Sequence, residues 1–320
     1  MGVVTDFVLI LLTVAGLSLF EIVSSVDNAV INADVLKTMS DKGRRWFLTW
    51  GLFFAVFLMR GVLPFLIVFM LDPSRGIWGT LTAVFSSDPA IVQSLQQSSP
   101  PLLAAGGVFL LFLFLHWLFT EPKNYTLLGE RFIHRHSAWF YASVSILLTI
   151  IIWIGLSPNP LIAFGAAAGS SLFFITTGFK DNAERKEHEM LNKTGMSDIS
   201  KLLYLEVIDA SFSIDGILGA FAFTLAVPLI LIGNGIGAIV LRNVTIGSID
   251  RVKKYKYLKN GAMYSIAVLG MIMIFESFHI LVPVWISPIA TIVILSYFFM
   301  KSYRELKKEE KYVPGRMAGK

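Results

Sequence analysis

Apolar residues run along this chain in blocks of roughly the twenty residues that a helix needs to cross a bilayer. The blocks fall at about 4–36, 46–71, 101–120, 138–156, 159–179, 202–225, 226–248, 260–281 and 283–300. They predict about nine transmembrane helices, or eight if one of the splits near Val227-Pro228 and Val282-Pro283 fails. The expected fold class is all-α, a polytopic membrane helix bundle. Residues 1–300 form a single transmembrane domain, and 301–320 form a polar tail.

Composition agrees with this pattern. The chain of 320 residues is 55% hydrophobic and 15% charged, where a soluble domain carries roughly 25% charged residues. Cysteine is absent, which excludes disulfides and thiolate metal sites. Met1–Phe20 has no Lys or Arg and only Asp6 as a charge, so no signal peptide is expected there. The net charge of +5 reads as topology rather than nucleic-acid binding. Every Lys and Arg except Arg60, Arg75 and Arg242 falls on one side of the nine-span order. By the positive-inside rule that side is cytoplasmic, so the N-terminus is outside and the C-terminus inside. An integral protein of the bacterial inner (plasma) membrane is expected. The segment 72–100, rich in Ser, Gln and Pro, reads as an external loop, and 180–201 as a solvated basic loop. The basic tail 301–320 is a solvated end that fixes orientation and touches anionic lipid.

The first span is not uniformly apolar. "FEIVSSVDNAVINAD" (20–34) places Glu21 and Asp27 at bilayer depth, and "DASFSIDGILGAFA" (209–222) does the same with Asp209 and Asp215. Aligned on the second acid, Glu21-x5-Asp27 matches Asp209-x5-Asp215, Ser25 matches Ser213, and Asn28 matches Gly216. Each acidic span is followed by one with an arginine, Arg60 in "AVFLMRG" and Arg242 in "AIVLRNV". With five crossings between them, the two units run in opposite directions. That is an inverted-topology repeat, common among secondary transporters with a midplane site. Repeat 1 covers about 4–120 and repeat 2 about 202–281. Linker helices occupy about 138–179, and a final helix 283–300.

At 100° per residue, Glu21, Ser25, Asn28 and Asn32 form one polar stripe, with Asp27 about 120° away. In the second motif Glu206, Asp209 and Ser213 share a face, and Asp215 points elsewhere. Either each helix shows carboxylates to two neighbours, or it is interrupted near Asn28 and Gly216 so that both acids turn to one cavity. The interruption is the preferred expectation.

An ionised side chain at the bilayer centre costs about 2.5–3.5 kcal/mol on insertion scales. Pairing with Arg60 and Arg242 accounts for one acid each, but Glu21, Asp27, Asp209, Asp215 and Glu276 outnumber the arginines. A bound divalent cation offsets the excess, and oxygen donors suit Mg2+, Ca2+ or Mn2+. His116 and His279 read first as helix-packing residues, and either would favour Mn2+ if it joined the site.

The stretches "EIVSSVDNAVINADVL", "MRGVLP" and "SFSIDGILGAFA" resemble the TerC family, specifically its branch described only as a domain of unknown function. TerC proteins are similar in turn to the wider LysE transporter superfamily. The resemblance covers roughly residues 10–300. It implies a membrane transporter with inverted repeats that exports a divalent metal, Mn2+ in the characterised relatives, and an association with tellurium resistance. By motif position it makes Glu21, Asp27, Asn28, Asp209 and Asp215 metal ligands. Ser25, Asn32, Ser213 and Glu276 are further candidates. Gly216 in place of Asn28 means that ligand donation need not be symmetric.

Arg60 and Arg242 are expected to hold the acids, as charge-balancing or gating groups, when no metal is bound. No cofactor is expected beyond the transported ion, Mn2+ ahead of Ca2+ or Mg2+. The expected partners are the lipid bilayer and the metal, with no nucleic acid. The run Gly165–Gly169 permits close helix contacts within the chain or in a homo-oligomer. Other readings remain open at this point. A LysE-type organic-solute exporter keeps the fold. A membrane scaffold linked to metal or tellurium stress would not need matched acids. An enzyme is not expected: Asp27 follows Ser-Ser-Val and Asp215 follows Phe-Ser-Ile, unlike the Gly-x-Gly-Asp of intramembrane aspartyl proteases.

Overall fold

The computed structural model describes residues 2–51, 73–85, 99–122, 129–192, 197–247 and 254–312, with scattered positions between 53 and 69 and position 127. Helices dominate: α1 (Gly2–Ser24), α2 (Val26–Lys37), α3 (Asp41–Trp46) leading into a π-helical turn (Phe47–Gly51), α4 (Gly76–Phe85), α5 (Pro100–Phe119) and α6 (Glu130–His134). They continue as α7 (Phe140–Leu156), α8 (Pro160–Asn192), α9 (Asp198–Ala220), α10 (Val227–Gly247), α11 (Leu258–Ser277) and α12 (Ile286–Tyr312). No strand occurs among the described residues. Seven of the described helices are long and apolar enough to cross a membrane: α1, α5, α7, α8, α10, α11 and α12. α9 is as long as α1 but carries Lys201, Glu206, Asp209 and Asp215. The expected span 46–71 lies mostly outside the described residues.

The structure differs from expectation in two loops and in the tail, where α12 continues through residues 301–312 to Tyr312. α8 does not stop near residue 179 but continues to Asn192, so most of the expected loop 180–201 is helix. Residues 181–192 are mainly good helix formers (Ala, Glu, Arg, Lys, Met, Leu), and propensity carries the helix past its apolar part. The expected external loop 72–100 contains the ten-residue α4. Both proline-marked splits are present, with Val227-Pro228 opening α10 and Pro283 lying in the turn before α12. Proline lacks the N–H that the first helical turn does not use, which suits Pro228 to the start of α10.

Glycines set the closest helix approaches. A Cβ on Gly165 would overlap the carbonyl oxygen of Pro101, and one on Gly169 that of Ala105. α8 therefore lies backbone to backbone along α5 and parallel to it, which places these two glycines in contacts within the chain. Gly107 and Gly270 bring α5 and α11 together in the antiparallel sense. Gly233 lies over Leu17 and Gly237 over Glu21, so α10 runs parallel to α1. In a bilayer, tail lipids are as apolar as leucine, so close backbone packing of this kind holds helices together. Phe109 and Phe112 meet Phe173 edge-on at 6.1 and 5.7 Å at the centre of the bundle. On the outside, side chains such as Trp153 stay 78% exposed, as a lipid-facing surface requires.

Candidate functional site

Glu21 lies on α1 and is 1% exposed. The Ser25 hydroxyl donates to its Oε1 at 3.1 Å. A Cβ at Gly216 of α9 would stand 2.8 Å from Glu21 Oε2, and one at Gly237 of α10 would stand 2.7 Å from Glu21 Cβ. The Glu21 side chain thus occupies space that a larger residue at either glycine would take, its carboxylate at Gly216 and its aliphatic stem at Gly237. This contact brings the two acidic motifs together, since Gly216 immediately follows Asp215.

Further contacts fix the register between the first motif and α9. Phe20 faces Gly219, Glu21 faces Gly216, Thr38 accepts hydrogen bonds from Lys201, and Ser40 bonds Asp198. Each step forward along α1 and α2 is a step back along α9, so the helices run antiparallel throughout. The backbone at Asp27 and Asn28 is helical, but their side chains lie outside the described residues, as does the whole of Arg60.

The expected interruption is only partly present, and it sits elsewhere. α1 and α2 separate at Ser25 (φ −98°, ψ 8°), not at Asn28. Ser24 turns its hydroxyl back to the Glu21 carbonyl at 3.4 Å, and Ser25 turns its own to the Glu21 side chain. Adjacent serines that bond locally in this way compete with the helical ladder and bend it. α9 is continuous from Asp198 to Ala220, with no break at Gly216. The second motif therefore shows its acids to two different neighbours, the other arrangement that the helical spacing allowed.

One neighbour is α10. Arg242 Nη2 lies 3.6 Å from Glu206 Oε1 and 3.7 Å from Asp209 Oδ2. Its Nη1 donates to the Phe47 carbonyl in the π-helical turn, and its guanidinium stacks 4.0 Å over the Phe47 ring. A Cβ on Gly51 would overlap the Glu206 carboxylate, so the turn approaches closely only because residue 51 is glycine. Ser213 is buried and donates to the Asp209 carbonyl at 2.7 Å. The other neighbour is α8, where Lys180 pairs with Asp215, both side chains 14% exposed. By sequence alone Lys180 reads as the first residue of the loop 180–201. The missed signal was the helix-forming composition of 181–192, which extends α8 beyond its apolar block.

The remaining candidates lie apart from these contacts. Asn32 is buried on α2, its Oδ1 without a hydrogen-bond partner among the described residues. Glu276 sits at the end of α11, just before His279, which adopts φ 60° and is exposed. The His116 ring packs between Phe140 and Phe173 at 5.4 and 5.9 Å. Among the described residues, no three His, Asp or Glu side chains gather closely enough to hold a metal ion.

At the polar end of α2 and α9, Asp198 forms a latch. The Ser40 hydroxyl and backbone N–H both donate to its carboxylate, and Lys201 donates to the Thr38 carbonyl and hydroxyl at 2.8 and 2.9 Å. The Ser40 hydroxyl bond, more than any other contact, holds the Asp198 carboxyl below its ordinary value. A depressed carboxyl contributes stability above its unfolded pKa, and that contribution is lost as pH falls through the folded value. Thermal unfolding of wild type and Asp198→Asn across pH 3–7 should show a constant difference above about pH 5 that shrinks below about pH 4. An unchanged difference at low pH would remove the latch from the account.

The family described as "Protein of unknown function (DUF475)" matches residues 26–309. The chain belongs to this family. The match takes in α2, α9, α10 and the whole helical bundle between them. The chain is also similar to an uncharacterized membrane protein, YceF, of Bacillus subtilis (strain 168), with 32% identity over 82 residues, or 26% of this chain. It spans about a third (32%) of that relative's length. No solved structure matches the chain.

Proposed function

We propose that this membrane protein is a transporter that exports a divalent metal cation, Mn2+ ahead of Ca2+ or Mg2+, by alternating access around the acids of α1, α2 and α9. One observation carries the reading. Two carboxylate-bearing helices face each other deep in the bundle, and the acids of α9 are held by cations tethered on two other helices. Arg242 and Lys180 stand where a mobile cation would stand. Glu21, Asp27, Asn28, Asp209 and Asp215 are the proposed ligands, with Ser25, Asn32, Ser213 and Glu276 as secondary ones. Arg242, Lys180 and Arg60 hold the acids between transport events. The resemblance to TerC proteins of the LysE superfamily supports the same reading.

The parallel packing of α1 and α10 agrees with the nine-span order proposed here, and the positive-inside pattern of the sequence puts the N-terminus outside and the C-terminus in the cytoplasm in this reading. Parallel directions require an odd number of crossings between the two.

Mn2+ flux into proteoliposomes tests the proposal. Asp27→Asn and Asp215→Asn should each lower apparent metal affinity by roughly 10–100-fold. Wild-type flux retained in both variants would overturn it.

A further inference from the structure

Asn234 of α10 is wholly buried, and neither its side-chain oxygen nor its nitrogen has a hydrogen-bond partner among the described residues. Such a group is costly: leucine would fill the same space without stranding a donor and an acceptor. Where a buried amide is left so, an ion or water that it serves is the usual explanation.

Its position on α10 says where it points. Gly237 marks the face of α10 that packs on α1, and Arg242 the face that reaches α9. At 100° per residue, Asn234 lies about 60° from Gly237 on one side and about 80° from Arg242 on the other. It faces the junction of α1, α9 and α10. The parallel register places it between the level of Leu17, opposite Gly233, and that of Glu21, opposite Gly237. Side chains on both helices lean toward the N-terminus, and since α1 and α10 run parallel the offset between Asn234 and Glu21 stays under one helical turn. Two buried oxygen-bearing side chains thus lie on facing helices within one turn of each other, with the Gly216 backbone of α9 beside Glu21.

We infer that Asn234 gives its side-chain oxygen to the transported cation, completing with Glu21 a site to which α10 contributes as well as α1 and α9. The inference rests on the transport reading above. A neutral oxygen suits hard divalent cations and adds a ligand without adding charge. Beside the Glu21 carboxylate, a neutral ligand limits the energy needed to release the ion.

The experiment is a MnCl2 titration of thermal unfolding on the purified full-length protein in detergent, in wild type, Asn234→Leu and Asn234→Asp. Wild type should show a saturable rise in melting temperature. Asn234→Leu should melt higher than wild type without metal, because the stranded amide is gone. Its Mn2+ midpoint should move up at least about tenfold. Asn234→Asp keeps an oxygen of the same reach, and its midpoint should stay within about threefold of wild type or fall below it. An unchanged midpoint in Asn234→Leu, or a tenfold weaker one in Asn234→Asp, would overturn the assignment and leave the transport reading standing. No saturable rise in wild type would remove the transport reading, and the Asn234 assignment with it. If Asn234→Leu does not fold, the Asn234→Asp midpoint decides alone.

Discussion

Arg242→Met should be among the most destabilising single substitutions in this protein. The guanidinium lies between Glu206 and Asp209, bonds the Phe47 carbonyl and covers the Phe47 ring. Its side chain is 9% exposed. Methionine preserves much of the volume and none of the charge, so two enclosed carboxylates lose their cation. Breaking a buried pair from one side costs about 3–5 kcal/mol, because the remaining charge is left uncompensated. Arg242→Lys should recover only part of that loss, since an ammonium lacks the planar fork and stacks less well on Phe47. The measurement is thermal or denaturant unfolding in detergent, with and without a divalent cation. Added metal should restore part of the stability of Arg242→Met, because it supplies the missing positive charge. A loss below about 1 kcal/mol would mean that Arg242 neutralises nothing.

The second large effect concerns Lys180 and Asp215. Lys180→Met should cost about 3–5 kcal/mol by stranding the Asp215 carboxylate, whose Oδ1 already has no hydrogen-bond partner among the described residues. The double variant Lys180→Met/Asp215→Leu should return close to wild-type stability or exceed it, since apolar pairs often replace buried ion pairs without loss. A double-mutant cycle reads the coupling directly. Additive losses in the double variant would show that the two side chains do not depend on each other.

Much of this arrangement was legible in the order of residues. The apolar blocks place α5, α7, α11 and the start of α12 to within a few positions, because a long apolar run has few alternatives in a bilayer; α12 then runs twelve residues beyond its block. Helical spacing separated Asp209 from Asp215, and α9 does send them to different partners. The matched arginine after the second acidic motif led to Arg242, which reaches Asp209. Other features were less visible. Lys180 looked like one more cation at a cytoplasmic boundary, because the positive-inside rule reads position and not partners. The bend at Ser25 depends on where two hydroxyls turn, which hydrophobic pattern does not encode. Asn234 stands out only once its surroundings are known: one amide in an apolar span is ordinary, and a wholly buried one with no partner among the described residues is not.

The bend at Ser25 and the latch at Ser40 are the two ends of one short rod. α2 has twelve residues, a length of about 18 Å at 1.5 Å per residue. Swinging it by about 10° at Ser25 would carry its far end roughly 3 Å, enough to break hydrogen bonds to Asp198 and Lys201 that tolerate a few tenths of an ångström. Any change of angle at Ser25 would thus reach the latch multiplied by the full length of α2, as the arm of a lever multiplies a small turn at its pivot.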